Sequence, residues 1–396
     1  MTSPSGRVSE LDSVRGLAAF IVLLHHLWEV ILPDQNSFPL SGYPVAGAGK
    51  LGEVAFWISV TPLRLLFSGH AAVGVFFVLS GFALTKSLQH SRHSGYAPFI
   101  VRRFFRIYPP FALIVAIAAT LSWLLHPHAI PGRDWINHYW RAPVTANLVF
   151  GHLAMIETSG YYNSLDSSMW TLVHELRVSV MFPLVAGLAF VYPRGVLIGS
   201  IVGFAVLSIT HLTTGIGALI HPELIREIFL SWIQTFRYVT FFVFGILVAI
   251  RFEVFDRALT RYPLTGKWLW VVAFGLLAVP YTKGYTEICY ALGAFVLLIL
   301  CIHSPRARRT LGHPVLQWLG KVSYSLYLVH LIVLIAAVYA LHDILPTGVI
   351  LSLVVVLSLV SAEVLNRTVE LPSSELGKRL AEKTTQRAVR RQENFT

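Results

Sequence analysis

The stretch LDSVRGLAAFIVLLHHL, residues 11 to 27, decides the fold. It opens an apolar run long enough to cross a bilayer, for which about 20 residues are needed. Yet it carries Asp12, Arg15, His25 and His26. Ionisable groups inside a membrane helix are expensive and by default mark function. At about 100° per residue, Arg15 and His26 share a face, about 16 Å apart along the axis, with Asp12 within about 60° of both. His25 points away and reads as structural. Ala18, Ala19 and Val22 leave room for a narrow ligand along the stripe. Ordinary helix packing is the competing reading, with His26 bonded to a neighbouring backbone.

The rest of the chain is of the same kind. Of 396 residues, 55% are hydrophobic and 13% charged, and the mean hydropathy is +0.65. Soluble domains carry about 25% charged residues. Apolar windows predict an all-α polytopic membrane protein of about ten spans, near 12–32, 71–90, 109–126, 169–192, 195–214, 228–250, 267–282, 286–303, 317–341 and 347–367. The segment 51–67, with Glu53, Pro62 and Arg64, reads as an interfacial or re-entrant helix. Residues 1–372 form one membrane domain with no appended soluble domain. Residues 373–396 form a polar, basic, loosely ordered cytoplasmic tail.

The formal charge of +11 fits basic residues gathered in cytoplasmic loops rather than a nucleic-acid partner. With both termini inside, 20 Lys and Arg fall in inside segments and six in outside loops, as the positive-inside rule requires. Cys289 and Cys301 lie about 18 Å apart on one predicted helix and cannot pair. The first apolar run has full membrane length and no cleavage site after it, so no cleavable signal is expected.

Four further stretches could carry chemistry. In VGVFFVLSGFAL (73–84), Ser80 and Gly81 let backbones approach closely; either two helices pack there or a ligand passes beside Gly81. In VRRFFRIYPP (101–110), Arg103 and Arg106 share a helix face and suit phosphate, or they simply anchor the helix to lipid headgroups; Pro109 and Pro110 would start the next span well. In SLDSSMWTLVHELRV, from Ser164, Trp170 and His174 are four apart and Glu175 follows. The indole is a face on which sugars stack, and the carboxylate could bind a hydroxyl or orient an imidazole; a membrane-interface tryptophan and a charge paired with Arg177 or another helix is the plainer reading. In LGKVSYSLYLVHLIVL (319–334), Ser323, Tyr327 and His330 fall on one face with Tyr324 beside them, a second polar seam or plain packing. No nucleophile elbow, phosphate-binding glycine loop or zinc spacing is present. The outer-loop histidines are scattered, so no metal site is expected.

In this order the motifs resemble the membrane-bound acyltransferase-3 family, the O-antigen acetylase-like acyltransferases of bacteria. The match is collinear from residue 11 to about 372. Arg15 and His26 stand where that family has an arginine eleven positions before its essential histidine. FFVLSG matches its second-span signature, and Arg103 and Arg106 its RxxR. WTLVHE resembles W-S-L-x-x-E, with Thr171 in place of serine. LGKVSYSLYLVH matches the late signature and VELP the closing one.

The resemblance implies transfer of an acyl group, commonly acetyl from acetyl-CoA, to a hydroxyl of a carbohydrate, glycolipid or glycosylated small molecule. It places the enzyme in a bacterial cytoplasmic (inner) membrane. No permanently bound cofactor is expected; acyl-CoA is a co-substrate. On this reading His26 is the general base, neutral when buried, and Asp12 or Glu175 steadies the imidazolium. An acyl-histidine intermediate is the alternative route. Arg15, Arg103 and Arg106, with Ser80 and Gly81, contact acyl-CoA. Trp170, His174, Ser323, Tyr324, Tyr327 and His330 line the substrate path or stabilise the oxyanion. The rival class, a transporter or flippase, also uses buried charges, but it predicts inverted repeats or broken helices, and the sequence has neither.

Overall fold

The computed structural model describes residues 9–31, 49–90, 95–156, 164–209, 220–261, 263–281 and 286–393. All regular structure among them is helical. The chain runs through α1 (Ser9–Ile31), α2 (Gly49–Val60), α3 (Gly69–His90), α4 (Tyr96–Leu125), α5 (Ala146–Leu153), α6 (Trp170–Val191), α7 (Pro193–Leu207) and α8 (Glu223–Ile250). It continues through α9 (Phe252–Arg261), α10 (Pro263–Leu277), α11 (Thr286–His303), α12 (Pro305–Leu311), α13 (Pro314–Leu341), α14 (Thr347–Leu365) and α15 (Leu371–Glu393). Eight helices are long and apolar enough to cross a membrane. The other two expected spans are the shorter apolar helices Pro193–Leu207 and Gly266–Leu277. Cys289 and Cys301 share α11 and are unpaired.

Glycine decides where helices touch. Gly16 of α1 crosses Gly320 of α13 so closely that a Cβ on Gly16 would lie 2.5 Å from the Gly320 nitrogen. Gly81 of α3 and Gly245 of α8 form the second crossing, where a Cβ on Gly81 would strike the Phe242 carbonyl. The smallness of Gly81 is used by helix packing rather than by a passing ligand. Two apolar cores share α1. Ala19, Leu23 and Leu27 face α4, α13 and α14; Val14, Ala18 and Val22 face α3, α8 and α11.

Two expectations need correction. Pro109 and Pro110 do not start a span, because α4 begins at Tyr96 and carries both prolines inside it. The Tyr324 hydroxyl donates to the Ile107 carbonyl at 2.7 Å beside them. Arg103 and Arg106 therefore sit on the spanning helix itself. The tail after Pro372 is not loose either. It continues α14 through a π-helical turn, Asn366–Glu370, into α15. Gly377 and Ala381, one turn apart, bring α15 onto α4, with Ala381 fully buried and a Cβ on Gly377 only 2.6 Å from that of Phe105. Segment 51–67 is a helix ending before Pro62 and a 3-10 turn, Pro62–Phe67; of the expected 33–70 connection, residues 33–48 lie outside the described residues.

Candidate active site

The second half of α1 ends in three convergent groups. His25 and His26 precede Glu29 by four and three residues, so all three reach one side of the helix. His25 Nε2 is 3.6 Å from Glu29 Oε1, and His26 Nδ1 is 3.7 Å from Glu29 Oε2. The His25 ring donates from Nδ1 to the Phe67 carbonyl at 2.9 Å. His26 Nδ1 is itself buried and makes no hydrogen bond. The azimuth that sets His25 apart from the Arg15 stripe holds for the Cβ positions, but Glu29 reunites the two rings. No metal site was expected, because the outer-loop histidines are scattered; the structure instead gathers three ligand-type atoms of His25, His26 and Glu29 within 4.8 Å of one another.

The His26 ring is held between two others. His330 stacks on it at 5.3 Å and 24° between planes, and Trp135 at 5.6 Å and 27°. His330 is fully buried on α13, with Nδ1 on the Leu326 carbonyl at 3.2 Å and Nε2 without a partner. Trp135 comes from the 127–168 connection, which is pinned in place. Arg133 bonds the Val30 carbonyl and, at 2.7 Å, Thr347 Oγ1. The Tyr339 hydroxyl donates to the Ile136 and Tyr139 carbonyls. Asp166, from the same connection, is 1% exposed. Its Oδ1 accepts from the Ser168 backbone and hydroxyl at 2.8 and 2.6 Å, while Oδ2 has no partner. Burial pushes this carboxyl up to about 6 against the pull of the Ser168 bonds and the nearby His26.

Nearer the other end of α1 lies a cationic group. Arg15 pairs with Asp12 at 3.3 Å. Arg103 forms an ion pair with Glu175 and donates from Nε to Ser179 at 3.0 Å. Ser80 donates to the same Glu175 oxygen at 3.1 Å. Arg106 is within electrostatic reach of Arg15, Arg103 and Glu175. The structure thus gathers Arg15, Arg103, Arg106, Ser80 and Glu175 from α1, α3, α4 and α6. The side chains of Arg15 and Glu175 keep 17% and 21% of their surface accessible, so the cluster lines a space.

The remaining candidates divide. Tyr327 bridges to the α6 entry, accepting from Thr171 at 2.8 Å and donating to the Ser168 carbonyl at 2.9 Å. Ser323 bonds back to the Gly320 carbonyl. Trp170 and His174 are not among the rings around His26. They pack with Tyr238, and Trp170 also with Phe77, and His174 bonds Thr235 at 2.9 Å. The tryptophan at His26 is Trp135. Glu29 could have been found from its spacing to both histidines. Trp135 and Asp166 could not, because no periodicity places loop residues. An apolar cleft of about 910 Å³ lined by Ala18, Ala72 and Leu277 holds neither Arg15 nor His26.

Residues 8–364 match the model of an acyltransferase domain, the acyltransferase-3 type. An O-acetyltransferase OatA of Staphylococcus aureus is 22% identical over 344 residues, covering 79% of this chain and 54% of the relative. A peptidoglycan O-acetyltransferase OatA of Listeria monocytogenes is 24% identical over 174 residues, covering 39% of this chain and 27% of the relative. The chain spans about half the length of the first of these relatives. No solved structure matches. With nearly its whole helical bundle inside the match, this chain belongs to the acyltransferase-3 family.

Proposed function

We propose that the protein is a membrane O-acetyltransferase that moves acetyl from acetyl-CoA to a hydroxyl of a cell-wall polysaccharide. The relatives named for O-acetylation, one of them of peptidoglycan, support the reaction and the acceptor class. The basic-residue bias supports a bacterial cytoplasmic membrane with the Arg15–Arg103–Arg106 end facing the cytosol, where acetyl-CoA is available.

The observation that carries the reading is the polar stripe of α1. Three guanidinium groups at one end suit the phosphates of CoA. About 16 Å along the same helix stands an imidazole enclosed by rings, the distance a pantetheine arm would bridge. His26 takes the proton of the acceptor hydroxyl as its oxygen attacks the thioester carbonyl. The tetrahedral adduct collapses with cleavage of the C–S bond, and the imidazolium returns the proton to the departing thiolate. Products are the acetyl ester and free CoA. Asp12 orients Arg15, and Glu175 with Ser80 orients Arg103. Tyr327 and the unpaired His330 Nε2 border the reacting region.

Purified protein in liposomes, supplied with wall polysaccharide fragments as acceptor, tests this by release of CoA thiol from acetyl-CoA. His26→Ala is expected to abolish release while folding and inserting normally. Wild-type turnover by that variant would remove His26 from the reaction. In cells, loss of the gene is expected to remove one acetyl increment from wall fragments in mass spectra.

A further inference from the structure

Within this proposed reaction Glu29 and Asp166 have no assigned part, and Glu29 is the one that presents an oxygen to a His26 ring nitrogen. We infer that Glu29 is the positioning residue of His26. Each Glu29 oxygen faces one imidazole, at 3.6 Å for His25 and 3.7 Å for His26. The Phe67 carbonyl can only accept, so His25 Nδ1 carries hydrogen and that ring is held at a set angle. In the neutral ring its other nitrogen has no hydrogen to give, so Nε2, 3.6 Å from Glu29 Oε1, does not bond that oxygen. The second oxygen faces His26 Nδ1, a buried nitrogen without a hydrogen bond.

A ring nitrogen facing a carboxylate across so short a gap holds its hydrogen there, which leaves Nε2 as the basic atom. As the reaction proceeds, the imidazolium that forms finds its counter-charge already in place. The separation of 3.7 Å is longer than a hydrogen bond, and such contacts commonly tighten only when substrate is bound. Asp12 and Glu175 are committed elsewhere, to Arg15 and Arg103.

The test compares Glu29→Gln, Glu29→Asp and His26→Ala in liposomes, with acetyl-CoA and wall polysaccharide fragments as substrates and CoA thiol as readout. Glu29→Gln keeps the size and loses the charge. It is expected to lower kcat by about 10²–10⁴-fold, the range of an orienting acid lost from a base, and to leave KM for acetyl-CoA within about threefold. Glu29→Asp is expected to recover part of kcat. In the His26→Ala background Glu29→Gln is expected to add nothing. Near-normal kcat in Glu29→Gln with an inactive His26→Ala would overturn the inference and leave the proposed reaction standing; an active His26→Ala would remove the reaction itself. Loss of activity to a chelator, restored by zinc and accompanied by stoichiometric metal in the protein, would also overturn it, because Glu29 would then be a metal ligand.

Discussion

Trp135 lies nearly parallel to His26, with ring centroids 5.6 Å apart and planes 27° from parallel. The indole closes one side of the imidazole, and its own position is set by Arg133 and the Tyr339 hydroxyl. Such pairs are worth about 0.5–1.5 kcal/mol beyond area burial. Trp135→Ala is therefore expected to lower acetyl-CoA turnover about tenfold without unfolding the protein, and Trp135→Phe to be mild. CoA release measured beside a detergent melting curve checks both. Equal turnover in all three proteins would mean that the indole does not hold the ring.

The crossing of Gly16 on Gly320 sets how close α1 and α13 come, and so where His26 meets His330. A methyl on Gly16 would overlap the backbone of Gly320, and overpacking of this kind costs about 1–3 kcal/mol. Gly16→Ala is expected to lower the melting midpoint and turnover together. Gly348→Ala, where a Cβ meets nothing within 4 Å, is the control and should change neither.

Asp166 makes stability depend on pH. Its carboxyl is raised to about 6 by burial, against a value near 3.8 when unfolded. A raised folded value means that the protonated form fits the fold. The favourable contribution is complete below about 3.8 and is lost as pH rises through about 6, on the order of 3 kcal/mol in all. Asp166→Asn keeps an acceptor for Ser168 and removes the charge. Its melting midpoint is expected to gain on the wild type as pH rises from 4 to 7. Parallel curves over that range would count against a buried, titrating Asp166.

Much of this was legible in the sequence because helices are periodic. The positions of Arg15 and His26 on one stripe, the RxxR pair and the two apolar cores follow from a step of about 100°. Local rules misled at two places. Pro109 and Pro110 look like a helix start, but both lie inside α4. The tail is polar by composition, yet Gly377 and Ala381 give it a surface narrow enough to dock on Phe105. Trp135 and Asp166 reach His26 only through the tertiary path of a connection, and no local pattern encodes that path. Glu29 was readable at three and four residues from the two histidines.

The Arg103–Glu175 ion pair offers a separation of folding from donor binding. The Arg103 side chain is 9% exposed, and Glu175 also accepts from Ser80. Removing one partner of a buried pair strands a charge and costs about 3–5 kcal/mol, whereas replacing both is far less damaging. Arg103→Met alone and Glu175→Gln alone are each expected to melt early. The double variant should melt closer to the wild type. Its KM for acetyl-CoA should nevertheless stay raised by tenfold or more if the proposed Arg103–phosphate contact, worth about 1.5–3 kcal/mol, is gone. Melting curves with acetyl-CoA titrations on all four proteins decide it. A double variant that recovers normal KM along with its stability would show that Arg103 serves the helix bundle and not the donor.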